Sequence, residues 1–295
     1  MKAIERHTRT PRGFTLLELL VVMGILVILT GITVPKVVSL RERERRTICS
    51  ENLRKIGRAF SAYANVNRDE FPRVIYDEKH MPIGYNAFSG ADTPEPFASN
   101  TTVAPNDVTA SLWLLIRGTY ITSEYYPPSA VFICPSSGKE PDPMLDLAGK
   151  PASQRQRSNF RSGRHLSYSY ASPFGNATGY GLKGNSIAAD FVLMADTNPG
   201  RSASLVSWND TPLKLAPGNS PNHHGAGQSV LFGDMHVEFR ETPYCGANQD
   251  NIYTAMGERF NDVTQPAHPP VKGVVGRQYG PAFQSDSYLL PTAED

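Results

Sequence analysis

The chain has 295 residues, a formal net charge of +1 and three cysteines among 40% hydrophobic residues. The near-balanced charge gives no electrostatic footing for nucleic acid, and the length suffices for one core or two small ones. No internal repeat or coiled-coil period is evident, so a single head domain is the simpler reading.

Four bases, Lys2, Arg6, Arg9 and Arg12, precede an apolar run over 16–34. As an α-helix these nineteen residues reach roughly 28 Å, about the thickness of a bilayer's hydrocarbon. Glu18 interrupts the run. An ionised side chain in hydrocarbon costs on the order of a few kcal/mol, so an acid one turn into a span needs a partner. A secretory signal peptide has a shorter apolar core without an embedded charge, and a small-x-small site after it. An ordinary single-pass anchor with a snorkelling Glu18 is the plainer alternative. Lys36, Arg41, Arg43, Arg45 and Arg46 nearly balance the bases ahead of the run, so charge alone does not set orientation. Gly31 and Pro35 weaken or bend the helix near its end.

Beyond Pro35 the pattern turns amphipathic. Cys49, Leu53, Ile56, Phe60 and Tyr63 alternate four- and three-residue spacings, which places them on one face suited to packing on a globular head. The mixed-sign stretch 41–46 reads as solvated helix surface rather than a lipid or nucleic-acid patch. One long helix over about 15–65 follows, with 36–65 as an amphipathic stem. A helix at 110–117 and short strands at 131–134, 166–170, 191–195, 229–232 and 236–239 predict an α+β head over 66–295 with a mainly antiparallel sheet. The last two strands read as a hairpin. The segments 81–107, 141–162 and 265–280 read as loops.

The string Pro11-Arg-Gly-Phe-Thr-Leu-Leu-Glu18, with the apolar run behind it, resembles the class III signal of type IV prepilins and type II secretion pseudopilins. The resemblance implies a cytoplasmic leader at 1–13 and cleavage by prepilin peptidase between Gly13 and Phe14. It further implies N-methylation of Phe14, a transmembrane and assembly helix over 14–35, and pairing of Glu18 with the terminal amine of a neighbouring subunit. Such a partner would satisfy a buried carboxylate. Pro35 falls where many members carry a helix-bending proline. The implied product is a pilin-like structural subunit, single-pass in the inner membrane with its head outside the cytoplasm. Its implied partners are the prepilin peptidase, other pseudopilin subunits, the inner-membrane secretion platform and membrane lipid. Without 1–13 the formal charge is −2, and no nucleic-acid partner is expected.

Further strings resemble the large pseudopilin-like proteins with a DUF1559-type head that are abundant in planctomycete-like bacteria. They are Cys49-Ser-Glu-Asn-Leu-Arg-Lys-Ile-Gly57, Tyr63, Phe71-Pro72, Phe132-Ile-Cys-Pro-Ser136 and Asp250-Asn-Ile-Tyr-Thr254. That family carries a His-x9-Asp-Gly signature. His224 and Asp234 match it, but Met235 stands where the glycine would be. Methionine at positive φ is strained by roughly 1–2 kcal/mol, so a type II′ turn centred on Gly233 and Asp234 is expected to close the hairpin instead.

Two other readings compete with a structural subunit. One is a minor pilin or competence-type pseudopilin whose head binds a substrate. The other is a membrane-anchored metal-dependent hydrolase. His223, His224, Asp234 and His236 raise the latter, since Gly233-Asp-Met-His236 resembles one fragment of a metallophosphoesterase motif. Its metal ligands would be His224, Asp234, His236 and Asp196. The companion motifs are missing, so a polar hairpin rim whose His and Asp side chains hydrogen-bond loops is the preferred reading; neither a nucleophile elbow nor a phosphate loop is found, and no catalytic residue is assigned. No cofactor is expected, with calcium as the alternative: several pseudopilins hold it in head loops, and Asp190, Asp196, Asn198, Asp234 and Asp250 offer oxygens. On the oxidising side of a membrane, Cys49, Cys134 and Cys245 allow one disulfide by three pairings, between which sequence does not choose. Cys49 serves equally as a small buried hydrophobe.

Overall fold

Helix α1 runs over Leu16–Val66, within a residue of the helix expected from periodicity. The computed structural model describes residues 13–77, 84–121, 127–146, 148–175, 180–255, 273–281 and 284–295, without the side chains of 32–39. Two units divide the chain, 1–44 and 45–295, and α1 contributes to both. In the first unit the side chains from Phe14 to Gly31 are exposed on every side of the helix. Among the described residues no helix is long and apolar enough to cross a membrane. The expected span runs to 34, and the side chains of 32–34 lie outside the described residues.

In the second unit, α1 buries Cys49, Leu53, Ile56 and Phe60 completely, and Tyr63 partly, against one core. Burial of each large apolar side chain stabilises this docking by about 1.5–3 kcal/mol. Phe60 packs on Phe71 and Tyr170 with ring centroids 5.5 and 5.1 Å away. Gly57 brings the helix close to the sheet: a Cβ there would lie 3.0 Å from Leu231 Cδ1.

The sheet has five antiparallel strands, β1 Tyr168–Ala171, β2 Val192–Asp196, β3 Gln228–Phe232, β4 Val237–Arg240 and β5 Leu289–Leu290. Their order is β4-β3-β2-β1-β5. Strands β1, β2, β3 and β5 are buried along their whole length, while β4 alternates half-buried and exposed residues. Near-continuous burial follows from cover on both faces, and alternation from a strand with one face in water. Four of the five expected strands are found within about two residues of their predicted places.

The exception is 131–134. Pro128–Phe132 is a 3-10 helix, started by Pro127 and by Pro128 at its first position. Proline fixes φ and lacks an N–H, which suits the first turn of a helix. Strand β5 was not anticipated, because two residues carry no period.

Helix α2, Val108–Arg117, is buried from Val108 through Ile116. Asp107 caps it, accepting from Ala110 N at 2.8 Å, and its other carboxylate oxygen accepts from Ser89 N and Asn159 Nδ2 at 2.9 and 3.1 Å. Trp113 stacks edge-on against Phe160, and Arg157 lies over its ring while pairing with the fully buried Asp142. The described parts of 84–107 and of 141–162 contain no strand of the sheet and serve as packing loops; 81–83 and 265–272 lie outside the described residues.

Candidate functional site

Gly13, Phe14 and Thr15 precede α1 without regular structure, and all three are exposed. Among the described residues nothing lies within 4 Å of a Cβ placed on Gly13. Thr15 and Glu18 form a reciprocal cap at the start of the helix. Glu18 Oε2 accepts from Thr15 N and Thr15 Oγ1, both at 2.9 Å, and Thr15 Oγ1 accepts from Glu18 N at 3.2 Å. This is the capping-box pattern, and it places a carboxylate at the positive end of the helix dipole. Within the single chain, then, Glu18 already has partners. The Thr-x-x-Glu spacing could have announced the cap.

The two signature residues sit in different turns. His224 is exposed, has φ 57° and ends the 3-10 turn Pro221–His223. Asp234 pairs with His236, whose ring stacks on Phe232 at 4.4 Å. The backbone N–H of His236 holds the Asp234 carboxyl below its ordinary value. His224 shares no hydrogen bond with Asp234 or His236, and these three do not form a metal-binding group among the described residues.

The hairpin turn departs from expectation. Phe232 O accepts from Met235 N at 2.9 Å and Phe232 N donates to His236 O at 3.0 Å, which defines a three-residue loop of Gly233, Asp234 and Met235. Met235 itself takes φ 69°, and Gly233 is not among the positive-φ glycines. The turn is therefore of type I followed by a left-handed residue, not type II′. Packing explains the tolerance. The partly buried Met235 side chain rests on the core, its sulfur 3.5 Å from where a Gly57 Cβ would lie. It also lines an open groove of about 430 Å³ with Arg54, Arg58, Ser61, Ala62 and Asn65.

The most concentrated chemistry of the head lies inside it. Cys49 of α1 and Cys134, which follows the 3-10 helix Pro128–Phe132, form a disulfide with Cα atoms 5.1 Å apart. This selects one of the three pairings and leaves Cys245 as the free thiol, pushed up to about 12 by desolvation and hence protonated at neutral pH. Against the disulfide lie His223 and Asp196, both fully buried side chains. His223 Nε2 is 3.7 Å from Cys134 Sγ and 3.2 Å from Asp196 Oδ2. Asp196 Oδ2 also accepts from Ser229 N at 2.6 Å, and its Oδ1 accepts from Asn222 Nδ2 at 2.9 Å. Candidate ligand atoms of Cys49, Cys134, Asp196 and His223 all lie within 4.8 Å of one another.

One ring nitrogen of His223 faces both the carboxylate and the sulfur. A nucleophilic relay holds the carboxylate on one nitrogen and the nucleophile on the other, so this arrangement is not such a relay. Of the expected metal ligands only Asp196 is in the cluster; the histidine that joins it is His223, not His224. The signal was Pro221, which starts the tight turn that sends adjacent histidines to opposite environments. Of the proposed calcium oxygens, Asn198 Oδ1 accepts from Gly200 N at 2.8 Å and Asp250 Oδ2 accepts from Ser287 N at 3.0 Å, so each is committed to holding a different loop.

No curated protein and no solved structure shows significant similarity to the chain. Residues 8–34 match the family described as the prokaryotic N-terminal methylation motif, a match that includes Gly13, Phe14 and Glu18 and supports a prepilin-type, type IV pilin/pseudopilin-like protein.

Proposed function

We propose that the chain is a pseudopilin-like structural subunit of a type II secretion or type IV pilus-like system, with a DUF1559-type head. Prepilin peptidase cuts between Gly13 and Phe14, Phe14 is N-methylated, and the apolar part of α1 sits in the inner membrane with the leader in the cytoplasm and the head outside. The observation that carries this reading is the methylation-motif match over 8–34. Two features support it. The side chains from Leu16 to Leu29 are apolar but for Glu18 and Gly24 and are exposed all round, which suits lipid or other helices as their surroundings. The Cys49–Cys134 disulfide suits an oxidising compartment for the head.

Cleavage would create an ammonium at Phe14 four residues from Glu18. In the single chain Glu18 is held by Thr15, and a neighbouring subunit's terminal ammonium would supply the stronger, charge-assisted partner once the helices assemble in lipid. Transfer from a local cap to an inter-subunit pair makes Glu18 a register device, with other pseudopilins and the secretion platform as partners.

The test is the intact mass and N-terminal peptide mass of membrane-extracted protein, with and without co-expressed prepilin peptidase. Peptidase-dependent loss of 1–13 with one added methyl on Phe14 is the expected result. An uncut chain, or one cut after 34, would overturn the proposal.

A further inference from the structure

A disulfide offers a buried aspartate and histidine no charge, and Asp196 and His223 are held by each other and by Asn222 and Ser229 rather than by the sulfurs. Yet Cys49, Cys134, Asp196 and His223 are all buried and converge from four separate segments: α1, the stretch after Pro128–Phe132, the end of β2, and the turn Pro221–His223. We infer that, with Cys49 and Cys134 reduced, these four side chains form a closed tetrahedral site for a thiophilic divalent cation of the zinc class.

The geometry is close to what such an ion requires. Zinc bonds of about 2.3 Å to sulfur and 2.0–2.1 Å to nitrogen or oxygen give tetrahedral edges of about 3.6 Å between sulfur and nitrogen and about 3.4 Å between nitrogen and oxygen. The corresponding edges here are 3.7 Å, from Cys134 Sγ to His223 Nε2, and 3.2 Å, from His223 Nε2 to Asp196 Oδ2. The sulfur pair must open from its bonded distance to about 3.8 Å, and the candidate ligand atoms of the four residues already lie within 4.8 Å of one another. The carboxylate already carries the outer support typical of a ligand, donated by Asn222 Nδ2 and Ser229 N. Complete burial leaves no open coordination position, so the site is structural: it ties α1 to the sheet and to the Pro221–His223 turn.

The same two sulfurs therefore hold the stem helix in either of two chemical states. A dithiol reductant transfers two electrons and two protons to the disulfide, breaking the S–S bond and becoming a disulfide itself. The two thiols then lose their protons to solvent as two metal–sulfur bonds form. Oxidation before metal arrives gives the covalent tie, and metal before oxidation gives the coordinate one.

Co2+ is the probe, added to the full-length chain in detergent before and after treatment with a phosphine reductant. The reduced chain is expected to take up one equivalent, with thiolate-to-cobalt charge-transfer absorption and the intense visible bands of a tetrahedral ion, and to release it to Zn2+. The oxidised chain takes up none. His223→Ala abolishes the bands, Asn222→Ala weakens binding about 10–100-fold, and Cys245→Ala leaves it unchanged. Failure of a folded, reduced chain to bind Co2+ overturns the inference, as does equal binding by the Cys49→Ala/Cys134→Ala double variant. If reduction unfolds the head, recovery of its native circular dichroism on adding Zn2+ supports the site, and no recovery overturns it.

Discussion

Replacing both Cys49 and Cys134 by alanine, in metal-free buffer, removes the covalent tie between the stem helix and the head. The bond joins positions 85 residues apart. Releasing a loop of that length restores to the denatured chain conformational entropy worth about 4–5 kcal/mol. Both sulfurs are fully buried, so their loss adds on the order of 1 kcal/mol each in packing. The expected cost, about 6–7 kcal/mol, approaches the entire stability of many domains. Urea unfolding of the full chain in detergent, followed by tryptophan fluorescence, measures it. Trp113 is fully buried and reports on α2 and the loops over it, while Trp208, 47% exposed, changes little. Free energies rather than midpoints must be compared, because a chain without the cross-link exposes more surface on unfolding and has a steeper denaturant dependence. A loss below about 1 kcal/mol would refute the reasoning. It would mean that Leu53, Ile56 and Phe60 hold the helix unaided and that the denatured chain gains no freedom from the cut.

Other perturbations probe the buried charges and the turn. Asp142→Asn strands the Arg157 guanidinium and should cost about 3–5 kcal/mol in the same unfolding assay. Burial pushes the Asp142 carboxyl up, but the hydrogen bond and charge of Arg157, with the N–H groups of Met144 and Arg161, hold it below its ordinary 3.8. Its stabilising contribution is thus complete above that value and is lost as pH falls through the folded-state pKa, a dependence the asparagine variant should lack. Asp250 has the opposite sign, since burial raises it to about 7 against the pull of Ser287 N and Asn251 N. The native state keeps a proton that the unfolded chain gives up, so stability falls as pH rises from about 4 toward 7. Asp250→Asn should flatten that slope in a pH series of unfolding free energies. At the hairpin, Met235→Ile should be less stable than Met235→Gly by about 1–2 kcal/mol, because a β-branched residue resists the left-handed conformation that glycine accepts. Equal stabilities would show that the core packing an isoleucine keeps and a glycine loses offsets the strain of the 69° φ at this position.

The parts of this protein that could be read directly from its sequence are those in which cause and effect lie within a few residues. The run Gly13-Phe-Thr-Leu-Leu-Glu18 is a linear signal, legible without any fold. The stem face of Cys49, Leu53, Ile56, Phe60 and Tyr63 follows from a helical period, and all five side chains are buried or partly buried in the core. Strands β2 and β3 carry apolar runs and β1 and β4 alternate bulky apolar with polar residues, which makes all four legible to within about two residues. Where two local signals competed, the stiffer one won. Pro127 and Pro128 override the apolar string after them and wind Pro128–Phe132 into a 3-10 helix.

What only the tertiary structure decided are the relations between distant segments. Three cysteines allow three pairings at nearly equal local cost, and the choice of Cys49 with Cys134 depends on where α1 docks. Asp196 and His223 look like a strand end and a loop histidine until the sheet brings them beside those sulfurs at 3.2 and 3.7 Å. Backbone preference alone disfavours methionine at the φ of 69° taken by Met235, and the core contact that offsets this cost exists only in the folded chain. Two-residue β5 exists only because β1 offers it an edge. Local sequence sets backbone preference and amphipathic period, both properties of neighbours along the chain. The disulfide, the buried His–Asp pair and the cost of the strained turn depend on neighbours in space, which packing alone brings together.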